Sequence, residues 1–261
     1  MSNQRFDSAR FESERAARGL TWGWPLSWQG ETQSTNDDAL AAAKSGAPHG
    51  AVFGAETQTR GRGRRGSEWI SAPGAGLWFS LLLRPDLPAD LAPGLALCAG
   101  LAVREAVASR VAADVAVKWP NDVLANGHKL AGILVESQVS GAKLGSVVIG
   151  IGINVSQTAF PGPLSRIATS LALLSASALD REGLLADVLI DLETSLERLT
   201  ARGMAAIAEA LRPHDALLDR HLRVEDVEGV GSGIDAAGRL LLRTALGELR
   251  PIASGHVELL D

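Results

Sequence analysis

Cysteine occurs once in the 261 residues, at Cys98. A framework of intramolecular disulfides is thereby excluded. Cys98 stands in the apolar run 95–101, where a thiol behaves as a small buried hydrophobe. The five histidines are scattered and no second cysteine joins them, so no metal site built from protein side chains is expected. There is no run of 18 apolar residues and no apolar signal core near the N-terminus. The expectation is a cytoplasmic protein with no membrane partner. Among the 25 basic residues only Lys44, Lys118, Lys129 and Lys143 are lysine, and two of these fall within the short segment 118–129. The formal net charge is -5, which argues against a nucleic-acid partner.

Against that acidic background one basic stretch stands out. Between Gln58 and Trp69, Arg60, Arg62, Arg64 and Arg65 are interleaved with Gly61, Gly63 and Gly66. Glycine lets the backbone approach a ligand and turn its N–H groups towards it. Arginine offers planar, permanently charged donors suited to phosphate and carboxylate. The stretch reads as an anion clamp or as a solvated surface loop. Its four like charges make it hard to order without an anion. The three glycines also fit G-x-G-x-x-G, but that dinucleotide fingerprint needs a helix directly after it. Here Ser67 to Gly74 includes Pro73 and cannot open a helix, so a dinucleotide-binding turn is rejected.

The rest of the chain supplies a core and its punctuation. Hydrophobic content of 46% is ordinary for a globular protein and allows a sizeable core. Residues 1–20 are polar with weak periodicity and are expected to be a dispensable tail or a frayed helix. Trp22, Trp24 and Trp28 then point to packing against the domain surface. Ser34 or Thr35 caps a helix whose first turn carries Asp37 and Asp38. Strands are expected at 51–56 and 76–84, and a helix at 89–110 with Pro93 in its first turn. Residues 115–118 form a strand stopped by Pro120. Residues 123–125 continue to Asn126-Gly127, the strongest two-residue hairpin signal. Return strands follow at 129–136 and 145–155.

Within these strands Lys118, Asn121, Asp122, Lys129 and Asn154 are costly polar insertions unless paired or used. An internal Lys118–Asp122 salt bridge and backbone capping by Asn121 and Asn154 are the plain alternatives. Gly132 interrupts its strand, the mark of a bulge or of close ligand approach. Helical periodicity covers 184–199 and 204–211. Short β segments after Pro213 suggest a small barrel. The expected fold class is α+β: a mixed, largely antiparallel sheet with packing helices and a small C-terminal β-barrel. The expected parts are an N-terminal tail, 1–27, a catalytic domain, 28–212, and the barrel, 213–261.

Several motifs, in this order, resemble the biotin protein ligases. They are Ser34-Thr35-Asn36, Gln58 with Gly61 to Gly66 and Trp69, Lys118-Trp119-Pro120-Asn121-Asp122, the 129–136 strand, and Gly150 to Val155. The tail segments 233–240 and 253–257 are similar to that family's C-terminal barrel. The resemblance implies a class II synthetase-like domain with an SH3-like barrel. It implies activation of biotin by ATP, with Mg²⁺, to biotinyl-5'-AMP. It further implies transfer of biotin to a lysine on the biotin carboxyl carrier domain of a biotin-dependent carboxylase. The implied biotin-binding residues are Ser34, Thr35, Asn36, Gln58, Gly61, Arg62, Gly63, Arg64, Lys129 and Gly132. Those implied for ATP and adenylate are Arg62, Arg64, Trp69, Lys118, Asn121 and Asn154. The resemblance implies that Lys129, Arg62, Arg64 and Asp122 carry the catalysis, Asp122 by orienting or deprotonating the acceptor lysine. No DNA-binding repressor activity is expected, because about 27 residues cannot hold a helix-turn-helix domain. The expected assembly is a monomer or weak homodimer.

Three departures from the family pattern are Arg60, Ser67 and His256. A lipoate–protein ligase, which shares this architecture, and a nucleic-acid-binding module built on the arginine loop are the competing readings.

Overall fold

The structure is a computed structural model and describes residues 5–175 and 180–260. The strands of its seven-stranded main sheet are β1 (Leu26–Gln29), β2 (Ala51–Ala55), β3 (Gly76–Leu83), β4 (Val115–Lys118), β5 (Asp122–Ala125), β6 (His128–Ser140) and β7 (Lys143–Asn154). They lie in the order β1-β2-β3-β7-β6-β5-β4. Only β1 and β2 run parallel; every other neighbouring pair in this sheet is antiparallel. The helices are α1 (Ser8–Ala17), α2 (Thr35–Lys44), α3 (Ala92–Ala108), α4 (Leu171–Leu174) and α5 (Arg181–Leu211). A second, five-stranded antiparallel sheet stands where the C-terminal barrel was expected. It is formed by β8 (His221–Val224), β9 (Val227–Ile234), β10 (Leu240–Arg243), β11 (Leu249–Ile252) and β12 (Val257–Leu259).

The sheet has two unlike faces because side chains alternate along a strand. Ile133, Ile151 and Phe79 are paired across β6, β7 and β3 and point into the large core. That core is covered by α3 and α5, which pack closely on each other. The apolarity of α3 belongs to a core helix: Leu95, Leu97, Cys98 and Leu101 are all buried. Burial pushes the Cys98 thiol up to about 12, so it stays protonated and inert. On the opposite face α2 makes a smaller cluster, with Ala39 and Ala43 against Ala51, Leu82 and Val148. Further along that face Gly132, Gly152 and Gly150 leave β6 and β7 bare beside their paired neighbours Trp78, Ser80 and Leu134.

The N-terminal segment corrects the tail reading. Helix α1 is capped by Asp7, whose carboxylate accepts from the N–H groups of Ala9 and Arg10. Phe11 is 0% exposed and Phe6 7%. Phe6 stacks on Trp28 with ring centroids 3.7 Å apart. The polar composition of α1 hid this, since one buried phenylalanine in ten residues gives no stripe. Trp22 is buried as expected, while Trp24 is exposed.

Two strands escaped the sequence reading. Strand β1 is short, and its alternation is only half-buried. Strand β11 contains Pro251, which is tolerated because β11 is an edge strand. The two helical segments expected at 184–199 and 204–211 both lie within the span of α5 and remain two helices. Gly203 breaks its helical dihedrals at φ 69°.

Candidate active site

The bare glycine face is one wall of a cavity of about 870 Å³. The arginine loop and residues 255–259 of the second sheet supply other walls. Six cations line it, Arg62, Arg64, Arg65, Lys118, Lys129 and Arg166, against two carboxylates, Glu68 and Asp122. An acidic chain therefore carries a concentrated cationic cavity, the physical signature of an anion site.

Lys129 is fixed by its backbone. The Asn126-Gly127 turn has φ of 48° and 78°, as a two-residue type I′ hairpin requires. Immediately beyond it, Lys129 N–H donates to Ile167 O at 2.7 Å, and Lys129 O accepts from Thr169 N–H at 2.9 Å. The ammonium lies 2.7 Å from Asp122 Oδ1. The two form an ion pair. Asp122 thus pairs with Lys129, and the expected Lys118–Asp122 bridge is not formed. Lys118 Nζ donates instead to Val257 O at 3.1 Å, reaching into the second sheet. Burial lowers the Lys118 pKa, and the nearby Lys129 lowers it further against the opposing pull of Asp122.

The arginine loop closes on itself. Gly63 N–H donates to Ser67 O at 2.7 Å, and Trp69 N–H donates to Gly61 O at 2.9 Å. Between them Arg65 and Gly66 take positive φ, 55° and 75°. Arg62 lies 2.6 Å from Asp37 and 3.2 Å from Glu136. Arg64 donates to Asn121 Oδ1 at 3.4 Å; burial, then Arg65, lowers its pKa. Asn121 itself donates to Ile133 O at 2.9 Å and so ties the loop to β6. Arg65 reaches Glu225 of the second sheet at 2.8 Å. The indole of Trp69 lies flat on the glycine wall. A Cβ at Gly152 or Gly132 would stand 2.6 or 2.7 Å from its ring atoms. Lys129 Nζ is 5.4 Å from the ring centroid.

Ser34, Thr35, Asn36 and Gln58 form a neutral, polar part of the lining. Ser34 takes the N-cap position of α2 but makes no side-chain cap. Gln58 does that work from the loop after β2. Its Oε1 accepts from Thr35 N–H at 2.9 Å and from Thr35 Oγ1 at 3.2 Å, while Nε2 donates to Ser71 Oγ at 2.9 Å. Asn36 donates to Glu136 at 2.7 Å and accepts from Ser80 Oγ at 2.6 Å.

Residues 30–154 match the Biotin/lipoate A/B protein ligase family, and residues 221–260 match the Biotin protein ligase C terminal domain. A biotin--[acetyl-CoA-carboxylase] ligase of Mycobacterium tuberculosis is 38% identical over 244 residues, 88% of this chain and 89% of that one. The chain belongs to the biotin protein ligase family. A bifunctional ligase/repressor of Bacillus spizizenii is 37% identical over 91% of this chain and 74% of its own length. The solved biotin protein ligase from Aquifex aeolicus in complex with biotin and ATP superposes with a TM-score of 0.75. It is 30% identical and covers 90% of this chain and 97% of that one.

Most of the residues expected of a biotin protein ligase meet at this cavity, but two do not. Asn154, expected beside the nucleotide, is 5% exposed and donates to Thr169 O at 3.0 Å; it braces the 155–170 loop and does not reach the cavity. Gly61 is buried behind the loop, where a Cβ would meet Trp69 O at 2.4 Å, so its role is packing. Residue spacing fixed neither orientation. Arg166, Ile167 and Leu259 line the cavity and were missed, since they lie in segments without a local motif. Gly150 was legible in the Gly150-Ile151-Gly152 pattern, which places both glycines on one face. His256 also lines the wall.

Proposed function

We propose that this ligase joins biotin to ATP in the cationic cavity and then passes the biotinyl group to a carrier-domain lysine. The cavity's lining carries the reading: Arg64, Lys118 and Lys129 gather around Asn121 and Asp122, while Ser34, Thr35, Asn36 and Gln58 form a separate neutral hydrogen-bonding group that Arg62 reaches through Glu136. A biotin molecule has that same polarity, with a neutral ureido ring at one end and a carboxylate at the other. The ring sits by Thr35 and Gln58 and the carboxylate near Lys129.

In the first step a carboxylate oxygen attacks the α-phosphorus, and the bond to pyrophosphate breaks. Two anions must meet, so cations and positioning dominate the barrier. Lys129, Arg62 and Arg64 offset the charge on the carboxylate and the phosphates. Trp69 offers a face to the adenine, while Asn121 and Lys118 flank the nucleotide. In the second step the neutral amine of the acceptor lysine attacks the anhydride carbonyl and AMP leaves. Asp122, held 2.7 Å from the Lys129 ammonium, orients that amine or takes its proton.

Mg²⁺ belongs to the proposal as a passenger of the triphosphate, where it offsets phosphate charge. Among the described residues no three or more His, Cys, Asp or Glu side chains cluster as a metal cage. Such an ion would be held mainly by phosphate oxygens and water, with the lining carboxylate Glu68 in the cavity to meet its hydration shell. The setting is the cytoplasm, where ATP and a carboxylase acceptor are at hand.

Pyrophosphate release from ATP, measured with biotin and separately with lipoate, tests the reading. Biotin-dependent release is expected. Preference for lipoate would move the assignment to the sister activity, and release with neither acid would overturn it. Steeply salt-dependent binding of DNA or RNA would favour the nucleic-acid alternative.

A further inference from the structure

The arginine loop leaves β2 at Glu56 and returns to the sheet at Gly76. These two stems meet at one buried ion pair. Glu56 is 9% exposed and Arg181 is 6% exposed. Arg181 Nη1 donates to Glu56 Oε2 at 2.8 Å and to Gly76 O at 3.2 Å, so a single guanidinium holds both stems. The backbone repeats the tie, since Gly74 N–H donates to Glu56 O at 2.9 Å. Arg181 opens α5, which anchors the pair to the large core.

The N-terminal segment closes the other side. Phe6 N–H donates to Glu56 Oε1 at 2.6 Å, and Trp28 Nε1 donates to the same oxygen at 3.1 Å. The Phe6 ring stacks on Trp28 and lies beneath the Arg181 guanidinium, 5.9 Å from its centroid. One residue further on, Asp7 N–H donates to Glu182 Oε1 at 2.7 Å. Burial pushes the Glu56 pKa up, but hydrogen bonds from Arg181 and from Phe6 N–H outweigh it and hold the carboxyl below its ordinary range. Glu56 is therefore ionised at neutral pH and paired on every side that the fold presents.

Gln58 lies two residues beyond Glu56 and meets Thr35 in the neutral part of the cavity lining. Arg62, Arg64 and Trp69 follow on the same segment. We propose that Glu56 and Arg181, closed over by Phe6, are positioning residues: they clamp the stems of the 57–75 segment and so set where Gln58, Arg62, Arg64 and Trp69 stand. None of the three touches the cavity, so each acts through the loop. The proposal rests on the ligase reading for its kinetic consequence and on geometry alone for its structural one.

Two variants test it, Glu56→Gln and Phe6→Ala. The first removes the charge and leaves the shape. The second keeps every charge and removes the stacked ring. Each is read in two ways: by KM and kcat for biotin and ATP, and by the rate of trypsin cleavage at Arg60, Arg62, Arg64 and Arg65 relative to other sites. A loosened stem misplaces the loop, and misplacement by about 1 Å costs up to roughly 10²-fold. For Glu56→Gln, KM for biotin and ATP is expected to rise and kcat to fall, lowering kcat/KM at least about tenfold, with the loop nicked faster. Phe6→Ala is expected to move both readouts in the same direction by a smaller factor. Should Glu56→Gln fail to fold, Phe6→Ala decides. Variants with ordinary KM values and ordinary loop cleavage, even with a lowered melting temperature, would reduce the clamp to a stability element and overturn the proposal. If the parent protein shows no biotin-dependent activity, the ligase reading fails, while the cleavage ratios still decide the clamp.

Discussion

Replacing Lys129 by alanine should disable the first half-reaction by an amount that can be built from two parts. The side chain is one-third exposed, with its ammonium 2.7 Å from Asp122 Oδ1. Removing one preorganised charge that faces developing negative charge costs roughly 3–4 kcal/mol, or about 10²–10³ in rate. The second part is the carboxylate left behind. A phosphate held within about 8 Å of an unpaired Asp122 is repelled by roughly 2 kcal/mol at an effective dielectric near 20. Solvent screening at this partly exposed site reduces that to about 1 kcal/mol. Lys129→Ala should therefore fall about 10³–10⁴-fold in biotin-dependent pyrophosphate release. Lys129→Ala with Asp122→Asn should recover several-fold from that floor. The first half-reaction is the right assay because Asp122 is assigned to the second, so its loss does not confuse the reading. Near-normal release by a folded Lys129→Ala protein would refute the role of Lys129. A double variant no faster than the single one would refute the electrostatic coupling.

Gly150→Ala would place a Cβ 2.0 Å from Asn36 Oδ1; the broken Asn36–Ser80 contact should raise KM for biotin more than KM for ATP in steady-state assays. Phe11→Ala removes a fully buried ring and should cost about 3–5 kcal/mol in denaturant unfolding, whereas a true tail would show no change. Burial, then Asp187 and Glu105, raises the Asp191 carboxyl to about 6 from a model-compound value of 3.8. A raised folded value gives stability that is present at low pH and lost as pH rises through about 6. Asp191→Asn should thus stabilise the protein by about 1 kcal/mol at pH 8, after discounting for partial exposure, with the gain fading towards pH 4 in pH-resolved thermal melts.

The sequence disclosed those parts of the site whose local chemistry is its own signal. The Asn126-Gly127 turn announces the hairpin that seats Lys129. The arginine–glycine loop announces an anion site in an acidic chain, and Gly132 announces a close approach to the strand. What stayed hidden depends on contacts far apart in the chain. Gln58 caps α2 from a different element, which no N-cap rule finds. Glu56 looks like the plain end of a strand until Arg181, 125 residues later, meets it. Phe6 and Phe11 read as isolated apolar residues because the surface they bury is made by β1 and α5. Asn154 was misplaced for the same reason. Its strand was legible, but the loop that it braces was not.

The central claim is that one cavity serves both half-reactions. The most direct test is incubation with biotin, Mg-ATP and a biotin carboxyl carrier domain, followed by intact-mass measurement of the carrier. One biotinyl group per carrier, formed only when biotin and ATP are both present and lost in Lys129→Ala, is the expected result. An unmodified carrier after incubation with the folded protein, or a carrier that takes lipoate in preference to biotin, would contradict the account.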